Sequence, residues 1–293
     1  MKKHLFHAFL LLAALLAGSC NVHEWPGDIE PEPGPTPPSN VPVTLNLNFD
    51  TDLPLYQEVK WSRYGEANHD IRYSVLVYKG SRSKASQPEH EFVFTRSYSD
   101  NPDFTAQIEL EDGQYEFYVW ADYVDPGTTA DKYYDTSEWE YIVLTDRQNH
   151  VGSNERRDAF RGYTSKAIVN AESVRESNTV NVDMLRPMAR FEFFAADIDD
   201  FLSREARNRN SESRDMDLSD YIVVMQYNGF MPSAYNLFTD KPNDAWQNVS
   251  FQSEMNLTDR GASMGFDYVF VQNTTSVTML RSEERRVGKE CAC

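Results

Sequence analysis

Alternation of apolar and polar residues with a period of two dominates the chain from about residue 43. Val43, Leu45, Leu47 and Phe49 alternate with Thr44, Asn46 and Asn48, and Ile71, Tyr73, Val75 and Val77 alternate with Arg72 and Ser74. Successive side chains of a strand point to opposite faces, so each run predicts a strand with one buried face. Further strands are predicted at 90–96, 104–110 and 114–123, the last two joined across Glu111-Asp112-Gly113, whose Asp-Gly pair suits a tight hairpin. The same reasoning places strands at 139–144, 165–170, 178–184, 188–195, 221–227, 248–255 and 264–272. Only 197–207 departs from this pattern. There Ile198, Phe201, Leu202 and Ala206 share one helical face and predict a short helix.

Many short strands with polar connections predict an all-β chain built as β-sandwiches. Residues 43–280 exceed what one small sandwich of about 100 residues needs. A division near Arg186-Pro187 gives an N-terminal β-sandwich over 43–185 and a C-terminal one over 186–280, the second short enough to be expected incomplete.

Both ends read differently from this body. Residues 1–19 carry Lys2 and Lys3, an apolar run of about a dozen residues and a small-residue close, the build of a secretory signal peptide. The run is too short to span a bilayer. Cys20 follows it, and the junction LLAGSC resembles the lipobox of bacterial lipoproteins, which implies acylation of Cys20, palmitate included, and attachment to a membrane through lipid. From there to residue 42 lie seven of the fourteen prolines. Such density favours stiff polyproline II at about 3.1 Å per residue, so residues 20–42 read as a lipidated cysteine with a tether on the order of 50 Å long. The closing segment RSEERRVGKECAC, residues 281–293, holds two of the three cysteines and breaks with the composition before it; it reads as a non-native tail.

Composition narrows the function. The formal net charge is −18, with 28 basic against 46 acidic residues. A chain this acidic repels nucleic acid, whose binding rests on Lys and Arg meeting phosphates, and no basic stripe offsets the imbalance. The folded part holds no cysteine, so thiol catalysis and stabilising disulfides are excluded there. His69, His90 and His150 show no metal-type spacing and read as surface residues. Nucleophile-elbow, zinc-protease, phosphate-loop and dinucleotide motifs are lacking. Carboxylates cluster at Asp50/Asp52, Asp197/Asp199/Asp200 and Asp215/Asp217/Asp220, without the calcium-loop pattern; acids at the start of the predicted helix also suit its dipole. No cofactor, metal or catalytic residue is therefore expected. On the predicted strand 114–123, Tyr115, Phe117, Val119 and Ala121 face opposite to Tyr118 and Trp120, so both faces are expected to be covered. Tyr133, Tyr134, Trp139 and Tyr141 lie in or beside a loop, where core packing outweighs a platform for sugar rings.

Five segments in order, GQYEFYVWADYV (113–124), RDAFRG (157–162), LRPMARFEFFAADIDDFL (185–202), YNGFMPSAYNLFTDKP (227–242) and GFDYVFV (265–271), stand behind SCNVHEWP (19–26). Together they resemble a family of Bacteroidota lipoproteins related to fimbrillins and minor-fimbrium anchor proteins. The resemblance implies two tandem transthyretin-like, fimbrillin-like β-sandwich domains. It also implies export to the outer membrane, a lipid-anchored place facing the cell surface, cell adhesion, and a non-enzymatic role in a fimbrium-like assembly as anchor or accessory subunit. A surface-tethered glycan- or protein-binding module is the alternative. In fimbrillin-like polymers a trypsin-like protease removes the first strand and the next subunit fills the groove, a form of β-augmentation between fimbrial partners. Here Val43, Leu45, Leu47 and Phe49 would be the strand-exchange segment. The first basic residues after Cys20 are Lys60 and Arg63, so such processing would remove lipid and strand together. An uncut anchor is expected.

Overall fold

The computed structural model describes residues 40–49, 69–97, 101–146, 149–170, 178–208, 218, 221–258, 261–271 and 279–285. From Asn40 onward the chain forms one compact unit.

Its first half is a seven-stranded sheet. β1 (Val41–Phe49), β2 (Asp70–Lys79), β3 (His90–Ser97), β4 (Phe104–Leu110), β5 (Gly113–Val124), β8 (Ala159–Ile168) and β9 (Thr179–Leu185) lie in the order β3-β2-β5-β8-β9-β1-β4. The sheet folds over on itself between β8 and β9, which pair only at Arg161↔Leu185 and Gly162↔Met184. Gly162 makes that corner feasible: a Cβ there would lie 2.5 Å from Val182 Cγ1 and 2.6 Å from Met184 Sδ. The fold brings β2 over β4, where Tyr73 stacks on Phe104 at 4.4 Å between ring centroids. Leu45, Leu47, Val75, Phe117, Val119, Val180 and Val182 fill the space between the two layers.

β5 is buried on both faces, as expected of its aromatic run. β2, expected to bury one face only, is also buried on both, because Arg72 pairs with Asp122 and Leu76 and Tyr78 enter a second core. Tyr115, Phe117, Val119 and Ala121 belong to the first core, whereas Trp120, with Leu76 and Tyr78 of β2, belongs to the second. This second core is built mainly by the later strands: β10 (Met188–Ala195), β11 (Tyr221–Tyr227), β12 (Phe230–Asn236), β13 (Lys241–Gln247), β14 (Ser250–Ser253), β15 (Asn256–Thr258), β16 (Gly261–Phe270) and β17 (Met279–Arg285). With β6 (Tyr134–Asp135) and β7 (Ile142–Leu144), they form the orders β10-β16-β15, β14-β11-β17 and β13-β12-β7-β6. The last of these joins the two halves, because β6 and β7 come from the first half: β7 pairs with β12 through Ala234↔Val143 and Tyr235↔Ile142, and β6 pairs with β7. Strands switch from the first sheet to the next between β9 and β10, at the Arg186-Pro187 step. The chain is thus an all-β sandwich protein with one α-helix among its described residues, α1 (Ile198–Asn208), whose Ile198, Phe201 and Leu202 face the second core.

Four further features depart from the expected pattern. β4 and β5 do not form the tight hairpin expected across Glu111-Asp112-Gly113: β4 pairs with β1, and β5 with β2 and β8, so this short connection carries the chain between the two layers of the folded sheet. β8 begins at Ala159, six residues before the predicted start, because Gly162 and Arg161 are needed at the corner with β9. The β12–β13 hairpin forms despite Pro232 and Pro242, with Pro232 at an irregularity in the register and Asp240 turning at φ 56°. β17 takes in residues 281–285 of the segment set aside as a tail, pairing antiparallel with β11 from Tyr227↔Met279 to Tyr221↔Arg285.

Candidate functional site

The candidate strand-exchange segment is β1. Its alternation puts Val43, Leu45 and Leu47 into the first core at 0% exposure. Phe49 is half-buried at the strand end, edge-on to Phe160 at 4.9 Å and to Tyr73 at 5.9 Å. The strand is paired on both sides, antiparallel to β4 from Val41↔Leu110 to Leu47↔Phe104 and parallel to β9 from Thr44↔Thr179 to Phe49↔Met184. Its polar face is also engaged. Asn46 Nδ2 donates to Asn181 Oδ1 at 3.0 Å, Thr105 Oγ1 donates to Asn46 Oδ1 at 3.0 Å, and Gln107 Nε2 donates to Thr44 Oγ1 at 3.1 Å. The groove that this strand occupies is therefore filled by the chain itself. Cys20, Lys60 and Arg63 lie outside the described residues, as do Asp50/Asp52 and Asp215/Asp217/Asp220.

His150 is not the surface residue that its spacing suggests. It is buried in a charged cluster that ties the 146–158 segment to β16. Arg157 Nη1 donates to Asp267 Oδ1 at 2.7 Å, Tyr227 Oη donates to Asp267 Oδ2 at 2.6 Å, and the Tyr268 amide donates to Oδ1 at 2.8 Å. His150 Nε2 lies 2.7 Å from Asp267 Oδ2, and the acceptor-only carboxylate assigns the proton to Nε2. Arg157 Nη1 is also 2.9 Å from Nε2, a proximity of two donors held by one carboxylate. Asp146 stands 3.6 Å from the other ring nitrogen. Burial pushes the imidazole pKa down, but the carboxylates of Asp146 and Asp267 outweigh burial and the nearby Arg157, holding it above the ordinary value. Burial raises the Tyr227 phenol strongly, and Asp267 adds to that. Beside this cluster, Arg186 Nη2 meets Asp158 at 2.8 Å; burial nevertheless keeps the Asp158 carboxyl above its usual range.

Sequence spacing could not show this assembly, because Asp267 lies 117 positions from His150. A His–Asp pair invites comparison with hydrolase triads, but the hydroxyls nearby bond to each other: Ser153 Oγ and Ser253 Oγ are 2.7 Å apart. The cluster is a buried polar clamp between the halves. Among the described residues, no three His, Cys, Asp or Glu side chains converge as metal ligands. Asp199 and Asp200 sit in the first turn of α1. The loop aromatics divide. Tyr134 is buried with its hydroxyl donated to the Arg157 carbonyl, Tyr133 and Trp139 are half-buried against the second core, and Tyr141 reaches Asp244.

A family model matches residues 37–284 and thus nearly the whole described body. The chain belongs to the family of unknown function DUF6562. That match takes in β1 at one end and all but the last residue of β17 at the other. No curated protein matches the chain in sequence. Among solved structures, it is similar to a Bacteroides thetaiotaomicron protein provisionally described as polysaccharide-binding, at 12% identity and TM-score 0.47, covering 83% of this chain and 76% of that one. It is similar to the fimbrial anchor protein Mfa2 of Porphyromonas gingivalis at 10% identity and TM-score 0.40, covering 82% and 78%. The tip fimbrial protein Mfa3 of the same organism, with a C-terminal truncation, gives 13% identity and TM-score 0.40 over 80% and 71%. Likeness at this level leaves the functions of those proteins their own.

Proposed function

We propose that the chain is a non-enzymatic outer-membrane lipoprotein that serves fimbria-like surface structures as their lipid-held anchor or an accessory subunit. The observation that carries this reading is the state of β1. A subunit that polymerises by strand exchange must shed its first strand, whereas here Val43, Leu45 and Leu47 are wholly buried and both edges of the strand are paired. No Lys or Arg lies between Cys20 and the end of the strand, so a trypsin-like cut that sheds the strand cannot spare the lipid. Burial of each such side chain contributes about 1.5–3 kcal/mol, so the strand is costly to withdraw. The lipobox-like junction at Cys20 and the proline-rich stretch that follows supply the attachment and the spacing. The buried His150–Asp267 pair supports a non-catalytic reading, since Asp267 accepts from Arg157 and Tyr227 and the other ring nitrogen of His150 faces Asp146 rather than a nucleophile.

The test is fractionation of cells expressing the full chain and its Cys20→Ala variant, followed by surface cross-linking of the wild type. The wild type is expected in the outer membrane with fimbrial subunits cross-linked to it, and the variant in the soluble fraction. Membrane retention of Cys20→Ala overturns the lipid anchor; a wild type that cross-links to no fimbrial subunit overturns the fimbrial role.

A further inference from the structure

Outside the β1 groove and the buried clamp, the outer face of the first sheet carries a cleft of about 270 Å³. Its floor is Arg72 and Ser74 on β2. One wall is Glu91 and Val93 on β3, where Val93 sits in register with Ser74; the other is the 129–139 segment, ending at Trp139. Because β3 is an edge of the sheet, this wall borders an edge strand.

Arg72 is buried, and all three nitrogens of its guanidinium are engaged. Nε and Nη2 donate to the two oxygens of Asp122 at 2.9 and 2.7 Å, and Nη1 donates to Asp131 Oδ1 at 2.7 Å and to the Thr129 carbonyl at 2.8 Å. Asp131 in turn accepts from the Thr136 amide at 3.0 Å and hydroxyl at 2.8 Å. The guanidinium therefore does not serve as an anion receptor. It fastens the 129–139 segment to the sheet, so the wall bearing Trp139 is positioned before any ligand arrives.

The groups left for a ligand are of two kinds. Val93 is 43% exposed and Trp139 half-buried, giving apolar surface, while the exposed Glu91 carboxylate has no partner among the described residues. One arginine against Asp122, Asp131 and Glu91 leaves an excess of negative charge, which disfavours phosphates, sulfates and uronic acids. The combination of an aromatic wall, hydroxyls and an unpaired acceptor suits a ligand with C–H faces and adjacent hydroxyl donors. We propose that this cleft binds a neutral sugar unit of a glycan, with Trp139 and Val93 against the ring and Glu91 accepting from its hydroxyls. A cationic ligand is the weaker fit, because Asp122 and Asp131 are already paired with Arg72 and a cation would meet the solvent-exposed Glu91 alone. The cleft goes beyond the anchoring role and stands whether or not Cys20 carries lipid.

The purified full chain is titrated with cellobiose, mannobiose and N-acetyllactosamine by calorimetry and saturation-transfer NMR. At least one is expected to bind with Kd on the order of 1 mM, weakened about tenfold by Trp139→Ala and by Glu91→Gln. Tyr163→Ala, an exposed ring that does not line the cleft, leaves it unchanged. Thermal melting identifies any variant that fails to fold, and Val93→Lys on the open edge strand then replaces it. The proposal is overturned if none of the three sugars gives saturation transfer, or if the cleft variants bind as the wild type does. Preference for polygalacturonate or spermine over all three overturns it equally.

Discussion

Arg157 and Asp267 stand 110 positions apart in the chain and meet at 2.7 Å, with both side chains only 1% exposed. One follows the 146–154 segment of the first half and the other lies in β16 of the second, so the pair fastens the halves where no solvent screens it. A buried ion pair contributes little beyond what apolar packing at the same place would, but removing one partner strands the other. Asp267→Leu and Arg157→Leu are each expected to cost about 3–5 kcal/mol in urea unfolding, and the double variant Arg157→Leu/Asp267→Leu clearly less than their sum. Additive losses would show that the two residues stabilise the fold independently.

The same cluster predicts a pH dependence. The folded-state pKa of His150 is raised above its unfolded value near 6.5, so the folded chain holds the proton more tightly. The stability this contributes is fully present below about pH 6.5 and fades as pH climbs through the folded value. The stability difference between wild type and His150→Gln is therefore expected to be larger at about pH 5.5 than at about pH 9. Asp146, whose pKa lies below its usual range, stays ionised over that window. A flat difference would mean that folding leaves the imidazole pKa unchanged, and one that grows with pH would mean that the folded chain favours the neutral ring.

Sequence pattern exposed the parts of this fold that depend on neighbours two residues away. β4, β10 and β11 run over the predicted residues, and the two-faced burial of β5 follows from Phe117 and Val119 alternating with Tyr118 and Trp120. What stayed hidden depends on distant partners. Pro232 and Pro242 argue locally against strands, yet β12 and β13 form because β7 and the second core offer pairing and cover. His150 looked like a surface residue because Asp267 and Tyr227, which make burial tolerable, come from the other half. The Trp139 cleft likewise needs Arg72, a residue that alternation alone marks only as the polar face of a strand.

β17 gives the C-terminal segment a direct test. Its backbone pairs with β11 from Met279 to Arg285, and β11 carries the buried residues Tyr221, Val223, Met225 and Tyr227. Truncation after residue 285 is expected to leave the melting temperature unchanged. Truncation after residue 280 removes five of the seven strand residues, opens one edge of β11, and is expected to lower it by several degrees and to promote association. Equal melting temperatures for the two truncations would show that β11 gains nothing from this pairing.

The strongest discrimination between anchor and polymer subunit lies at the start of the mature chain. Between Cys20 and Val59 no Lys or Arg offers a trypsin-like protease a site, and cleavage at Lys60 or Arg63 removes β1 entirely. That loss would open a groove between β4 and β9 and expose the side chains that Val43, Leu45 and Leu47 cover. A polymerising subunit requires that vacancy, whereas an anchor held through Cys20 would lose its lipid in the same cut. N-terminal analysis of protein recovered from outer membranes is therefore expected to find a chain beginning at acylated Cys20. Lys60→Gln with Arg63→Gln is expected to leave its membrane location and fimbrial cross-links unchanged. Chains starting at Trp61 or Tyr64, together with loss of polymer ladders in the double variant, would make the protein a subunit whose β1 is a placeholder for its neighbour's strand.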